Sequence, residues 1–265
     1  MPSFHHLLIH NANEIRTITM NRPEKRNALC PLLMQEITQA LDEAEDSDCR
    51  VVILTGAGPA FCAGLDMEHL STLHATTEEE DRRDSENMAN VLRTLYEFSK
   101  PVIAAVNGPA IAGGMGLAML ADFTLAVPEA KFGFTEVKLG YVPAIVASFL
   151  LRQVGEKVTR ELLISGRLIR TQEAYHLGVV TQIVNAEELM QTAYACAQGL
   201  LQNSPQAMRE VKRLLAMHSK RRLDEEIEDA IEVNAHQHSA EDFREGVQAF
   251  LKHRKPEWPS LHTRV

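Results

Sequence analysis

Three stretches of this 265-residue chain combine residue types that could do chemistry. Two are glycine-rich loops, each directly after an apolar run: Thr55-Gly56-Ala57-Gly58-Pro59-Ala60-Phe61-Cys62-Ala63-Gly64-Leu65-Asp66, and Asn107-Gly108-Pro109-Ala110-Ile111-Ala112-Gly113-Gly114-Met115-Gly116. Main-chain N–H groups in such places are unpaired and can point at an anion, and glycine lets a ligand come close to the backbone. One N–H from each loop would make an oxyanion hole, where a donor contributes about 2.7–4 kcal/mol toward developing negative charge. Tight packing of strand on helix accounts for the same glycines, and spacing alone leaves both readings open. The third stretch, 130–143, sets Glu136 among apolar and small residues. A desolvated carboxyl there would titrate nearer neutrality and suit proton transfer. The competing reading is a surface glutamate paired with Lys131 or Lys138.

Nucleotide chemistry fits less well. Gly56-Ala57-Gly58 begins a dinucleotide fingerprint, but Phe61 stands at the third glycine position and Pro59 where a helix should start. No Gly-Lys-Ser/Thr follows either loop, so a Walker-type phosphate loop is ruled out.

The elements that must hold these groups follow from periodicity. Residues 7–9 and 15–20 read as strands joined by turn chemistry at Asn11-Ala12-Asn13. Apolar spacing predicts a helix over 32–44. Residues 51–55, 101–106 and 123–127 read as buried strands, and 117–121 as a helix. Strand, glycine loop, helix, strand implies parallel pairing through crossovers. Helices are expected at 86–97, 145–153 and 157–164, and the polar segment 70–84 as a mobile loop. From Glu187 onward the pattern is nearly all helical, with starts at Ser204-Pro205 and Ser239. The chain thus divides into an α/β core, 1–185, and a helical region, 186–265.

The net charge of −9 gives no encouragement to nucleic-acid binding and requires a local cationic site for any anionic ligand. No membrane-spanning run or signal peptide is apparent. Cys30, Cys49, Cys62 and Cys196 form no metal-binding spacing and read as reduced thiols of a cytoplasmic protein.

Taken in order, the segments resemble the crotonase superfamily, the enoyl-CoA hydratases and isomerases. The resemblance is carried by Asn21-Arg22-Pro23 with Asn27-Ala28-Leu29, by Phe61 to Asp66, and by Lys100 to Gly108. It continues through Gly113 to Ala118, Ala121-Asp122, Ala130 to Gly133 with Glu136, Gly166-Arg167, Leu177 to Val180, and Phe250 to Pro256. It covers nearly the whole chain. It implies an α/β spiral of ββα units with a C-terminal helical trimerisation region, as a homotrimer or a dimer of trimers. It implies an acyl-CoA thioester substrate and no separate cofactor or metal, coenzyme A being part of the substrate. By matching position, the oxyanion donors would be the N–H groups of Leu65 and Gly113, and Glu136 the acid/base. Arg26, Ala28, Ala63, Asp66, Gly114, Gly116, Tyr141, Phe250 and His253 would line the substrate site.

One departure matters. Relatives with two catalytic glutamates carry the second where this chain has Gly116. A single glutamate still serves a hydratase, taking a proton from water and returning one to C2. It equally serves an isomerase that moves a proton between C2 and C4, or the protein is a non-catalytic acyl-CoA binder. Gly116 would then widen the pocket, and the acidic run at 78–81, His69 or His74 could supply a second group. Residues 143–145 carry no carboxylate, so the aryl-CoA dehalogenation known among relatives is not expected.

Overall fold

The computed structural model describes residues 4–73 and 76–261. The chain opens with strand β1 (Leu7–Ala12), antiparallel to β2 (Ile15–Met20). The turn between them falls on Asn13 and Glu14, both with positive φ. Helix α1 (Pro31–Glu45) leads to β3 (Val51–Gly56). The short α2 (Met67–Leu70) and long α3 (Glu78–Glu97) precede β4 (Val102–Val106). Then come β5 (Ala110–Ile111), α4 (Gly113–Leu120), β6 (Phe123–Ala126) and β7 (Lys131–Gly133). The remainder holds α5 (Ala144–Ser165), β8 (Ile169–Arg170), α6 (Thr171–His176), β9 (Gln182–Ile183), α7 (Leu189–Leu200), α8 (Pro205–His238) and α9 (Glu241–Leu251).

The main sheet runs β1-β2-β3-β4-β6-β9, and every pair after the first is parallel. A smaller sheet, β5-β7-β8, stands beside it. All residues of β3 and β4 are buried, as parallel strands covered on both faces must be. Their β-branched and small side chains suit that position. The expected strands and parallel crossovers are therefore present.

Several boundaries differ from expectation. Residues 78–84 of the segment expected as a loop belong to helix α3. Thr77 caps α3 with a reciprocal Thr77–Glu80 box, so the acidic residues occupy its first turn, where they suit the helix dipole. His74 lies outside the described residues. Ser239 closes α8 rather than starting α9, whose N-cap is Ala240. The two helices expected at 145–153 and 157–164 form one element broken at Gly155, where φ is 75°. Helix α8 packs back on α3 and α5, bringing the C-terminal region against the core.

Candidate active site

Two asparagines, Asn27 buried and Asn107 half-buried, fix the first glycine loop. Asn27 donates from Nδ2 to the carbonyls of Ala57 and Ala60, both at 2.9 Å, and its Oδ1 accepts from Arg22 N–H at 2.9 Å. Asn107 donates from Nδ2 to Gly58 O at 2.9 Å. The two glycine loops are then zipped together by a parallel bridge between Cys62 and Ala110, with Ile111 N–H donating to Cys62 O at 2.9 Å. Gly114 serves this contact: a Cβ there would lie 2.3 Å from Cys62 O. It packs the two loops together and does not line the cavity described below, where a substrate-binding residue was expected.

This register aims two amides. Leu29 pairs with Leu65 through Leu29 N–H to Gly64 O and Asp66 N–H to Leu29 O. Because alternate amides of an extended strand point to opposite sides, Leu65 N–H faces away from Leu29. Gly113 is the first residue of α4, where N–H groups have no intrahelical acceptor. Ala112, just before it, holds φ 52° and ψ −125°, a strained turn that starts the helix sharply. Neither Leu65 N–H nor Gly113 N–H has a protein acceptor among the described residues. Both residues line one cavity of about 770 Å³.

Glu136 lines the same cavity from a 3-10 turn, Glu136–Leu139. Tyr141 N–H donates to Glu136 O at 3.0 Å, so Glu136 and Tyr141 leave one tight turn. Oε2 of Glu136 is fully shielded and has no hydrogen-bond partner. It pairs with neither Lys131 nor Lys138. Burial pushes its carboxyl up to about 7, its own main-chain amide offsetting a little. A carboxyl poised there exchanges protons readily near neutral pH.

Arg26, Ala28, Ala63, Asp66, Tyr141 and Phe250 also line the cavity. Asp66, however, is not a free charge. It receives Arg22 at 2.9 Å and the Glu68 amide of α2 at 2.9 Å. Burial alone would raise its carboxyl, but Arg22, that amide and nearby Lys25 together hold it below the usual range. Its contribution to stability is present above the unfolded carboxyl range and is lost as pH falls through its lowered value. Asp66→Ala is expected to lower stability at pH 7 by about 1–3 kcal/mol, through the lost cap and ion pair. Urea unfolding at pH 7 and at pH 3 checks it: the difference between wild type and variant must shrink in acid.

Gly116 and His253 are not in the wall. A Cβ at Gly116 would meet Leu92 Cδ2 at 3.2 Å and Val146 Cγ1 at 3.4 Å, so apolar side chains from α3 and α5 fill the room. Gly116 does not widen the pocket. His253 takes a positive φ, and the next residue, Arg254, lines the cavity instead. Met115 of α4 is buried and Val142 is exposed, and neither lines the cavity. His69 is bound to Asp84 at 2.5 Å and lies outside the wall. Glu78, Glu79 and Glu80 are solvent-exposed, while Asp81 is buried and bonded to His238. The motifs did not point to Lys25, Lys138 and Arg254 as cavity residues. Lys25 is held by Glu68 and Arg254 by Glu245. Arg26 and Lys138 carry no carboxylate partner among the described residues and supply the local cations an acidic protein needs for an anionic ligand.

The four cysteines are free, and burial pushes the Cys62 thiol up to about 12, so it is no nucleophile.

Comparisons with known proteins bear on the fold and the family. The family model described as enoyl-CoA hydratase/isomerase matches residues 10–261. A Thermus thermophilus protein, provisionally named an enoyl-CoA hydratase, is 39% identical over 243 residues, covering 91% of this chain and 96% of that one. A short-chain-enoyl-CoA hydratase of Clostridium acetobutylicum is 33% identical over 95% of this chain and 96% of its own. Among solved structures, an enoyl-CoA hydratase/isomerase of Xanthobacter autotrophicus Py2 superposes with a TM-score of 0.87 at 28% identity, covering 99% of this chain and 100% of that one. With the family model matching residues 10–261 and these relatives covering nearly all of it, the chain belongs to the enoyl-CoA hydratase/isomerase family.

Proposed function

We propose that this protein is an enoyl-CoA hydratase working through a single acid/base. One observation carries the reading: a buried carboxylate with an unbonded oxygen shares a cavity with two unbonded main-chain amides. Ionised Glu136 takes a proton from water as the water oxygen bonds C3 of a 2-enoyl thioester. The C2–C3 π electrons shift toward the carbonyl, and the enolate oxygen is held by Leu65 N–H and Gly113 N–H. Protonated Glu136 then gives its proton to C2 and is ionised again. Arg26 and Lys138 suit the phosphates of coenzyme A. The named hydratases among its relatives support this reading.

The test is incubation with crotonyl-CoA and longer 2-enoyl-CoAs, followed by the loss of enoyl-thioester absorbance. An isomerase is the second reading, favoured by the lack of a second free carboxylate in the described wall, where Asp66 and Glu68 are both ion-paired. Conversion of a 3-enoyl-CoA with no hydrated product would establish the isomerase and sink the hydratase. Turnover of neither, with acyl-CoA still bound, would make the protein a binder.

Because the base form starts the reaction, kcat/KM for hydration is expected to rise with pH through about 7 and level off above it. A profile flat from pH 5 to pH 9 would contradict Glu136 as the base.

Assembly into a homotrimer or dimer of trimers accompanies this reading. Exposed Val211, Leu214, Leu215 and Met217 on α8 offer an apolar surface for it. No helix among the described residues is long and apolar enough to cross a membrane, and a cytoplasmic location is part of the proposal.

A further inference from the structure

Helix α8 turns one stripe inward: Leu223, Ile227, Ala230, Ile231, Asn234 and His238 are its buried residues, at helical spacing. Two of them are polar, and they differ in one respect. His238 is engaged within the fold, with Nδ1 3.0 Å from Asp81 Oδ1 and Nε2 3.1 Å from the Tyr141 hydroxyl. The side chain of Asn234 meets no hydrogen-bond partner among the described residues.

Asn234 is 5% exposed and stands in the wall of the catalytic cavity. Its two amide atoms are placed unequally. Oδ1 is fully shielded and bare, so it carries an uncompensated desolvation penalty. Nδ2 is the end left unshielded, a donor with two hydrogens and no protein acceptor. An apolar side chain of similar size would fill this position without that penalty. A polar group kept at such a cost in a cavity wall points to a use for its free end.

The chemistry of that end defines what it takes. A neutral N–H donor binds an oxygen acceptor and gains nothing from a hydrocarbon. The wall beside it is apolar on the two helices α8 packs against: Met88 from α3, and Ile145 and Val146 from α5. One donor in such a wall orients and selects a ligand. A site built to hydrogen-bond a substrate oxygen discriminates against the analogue that lacks it. One turn after Asn234, His238 holds Tyr141, whose N–H closes the Glu136 turn. This ties the donor's helix to the group that works at C2 and C3, and so to the acyl part of the ligand.

We propose that Asn234 sets acyl specificity as a donor, its Nδ2 selecting thioesters whose chain carries an acceptor oxygen, as a ketone or a carboxylate, over those with a plain alkyl chain. The claim rests on the acyl-CoA reading of the cavity and adds the chemistry of the chain.

The experiment is isothermal titration of the full-length protein with hexanoyl-CoA, with 4-oxohexanoyl- and 5-oxohexanoyl-CoA, and with glutaryl- and adipyl-CoA. Wild type is expected to bind at least one oxygenated thioester on the order of tenfold more tightly than hexanoyl-CoA. A gain confined to the oxo chains assigns a ketone, and one confined to the diacids assigns a carboxylate; either supports the donor. In Asn234→Leu the ratio falls toward one, and should the leucine variant not fold, Asn234→Ala takes its place. Equal affinities in wild type would overturn the proposal, as would a preference unchanged by the substitution. Failure to bind any acyl-CoA would bring down the hydratase reading and this inference with it, whereas binding without preference for an oxygenated chain overturns this inference alone.

Discussion

Glu136→Gln is expected to lower the hydration rate by about 10³-fold or more while leaving acyl-CoA binding nearly intact. Glutamine keeps the shape of the side chain but can neither accept the proton of water nor return one to C2. A positioned acid/base contributes roughly 10²–10⁴-fold, and here one carboxyl does both steps. No other free carboxylate among the described wall residues can take over, since Asp66 and Glu68 are engaged with Arg22 and Lys25. Steady-state kinetics with crotonyl-CoA, beside titration with a saturated acyl-CoA, separates chemistry from binding. Wild-type rates in the variant would end the single-carboxyl mechanism.

The same substitution should make the protein more stable in base. Glu136 titrates near 7 in the folded chain, against about 4.5 for an unburied glutamate. The folded state therefore keeps a proton that the unfolded state has released. The stabilisation tied to that proton is complete below about 4.5 and is lost as pH rises through about 7. At pH 8 the ionised carboxylate lowers stability by on the order of 3 kcal/mol relative to a neutral group. Glu136→Gln should raise Tm at pH 8 and leave it nearly unchanged at pH 4. A function that needs a desolvated base thus works against the stability of the fold around it.

What could be read in the sequence depended on how local its cause was. Strands β3 and β4 announce themselves because burial on both faces demands unbroken apolar runs. The glycine loops are visible, and so is Glu136, but only contacts across the fold decide between packing and chemistry. Gly114 turns out to serve packing and Gly113 an open amide, although the two are neighbours of the same type. Segment 70–84 misleads because its charges suggest solvent. Helical geometry turns Asp81 inward, and its partner His238 lies 157 residues away. The missing carboxylate at Gly116 is plain in the sequence, yet its consequence is not, since Leu92 and Val146 arrive from two other helices. Asn234 sits in a strongly charged stretch of α8 and gives no local signal at all.

Gly113→Pro is expected to cut kcat by about 10²–10³-fold, the effect of removing one oxyanion donor. Main-chain donors are hard to delete, but this one stands where proline is tolerated. Gly113 is the first residue of α4, and its amide serves no helical acceptor. The new Cβ would approach Leu29 Cδ1 at 3.0 Å and Met88 Cε at 3.1 Å, both ends of flexible side chains. Gly113→Ala adds the same Cβ and keeps the N–H, so the difference between the two variants reports the lost N–H together with the ring carbon that takes its place. Alanine should retain kcat within about tenfold of wild type, a loss corresponding to at most about 1.4 kcal/mol. Thermal melts of both variants report whether the fold has held. If proline and alanine reduced kcat equally with similar Tm values, the enolate would have to find its support elsewhere. If only proline collapses turnover, the strained turn at Ala112 is explained too: it starts the helix one residue before the amide that must face the thioester oxygen.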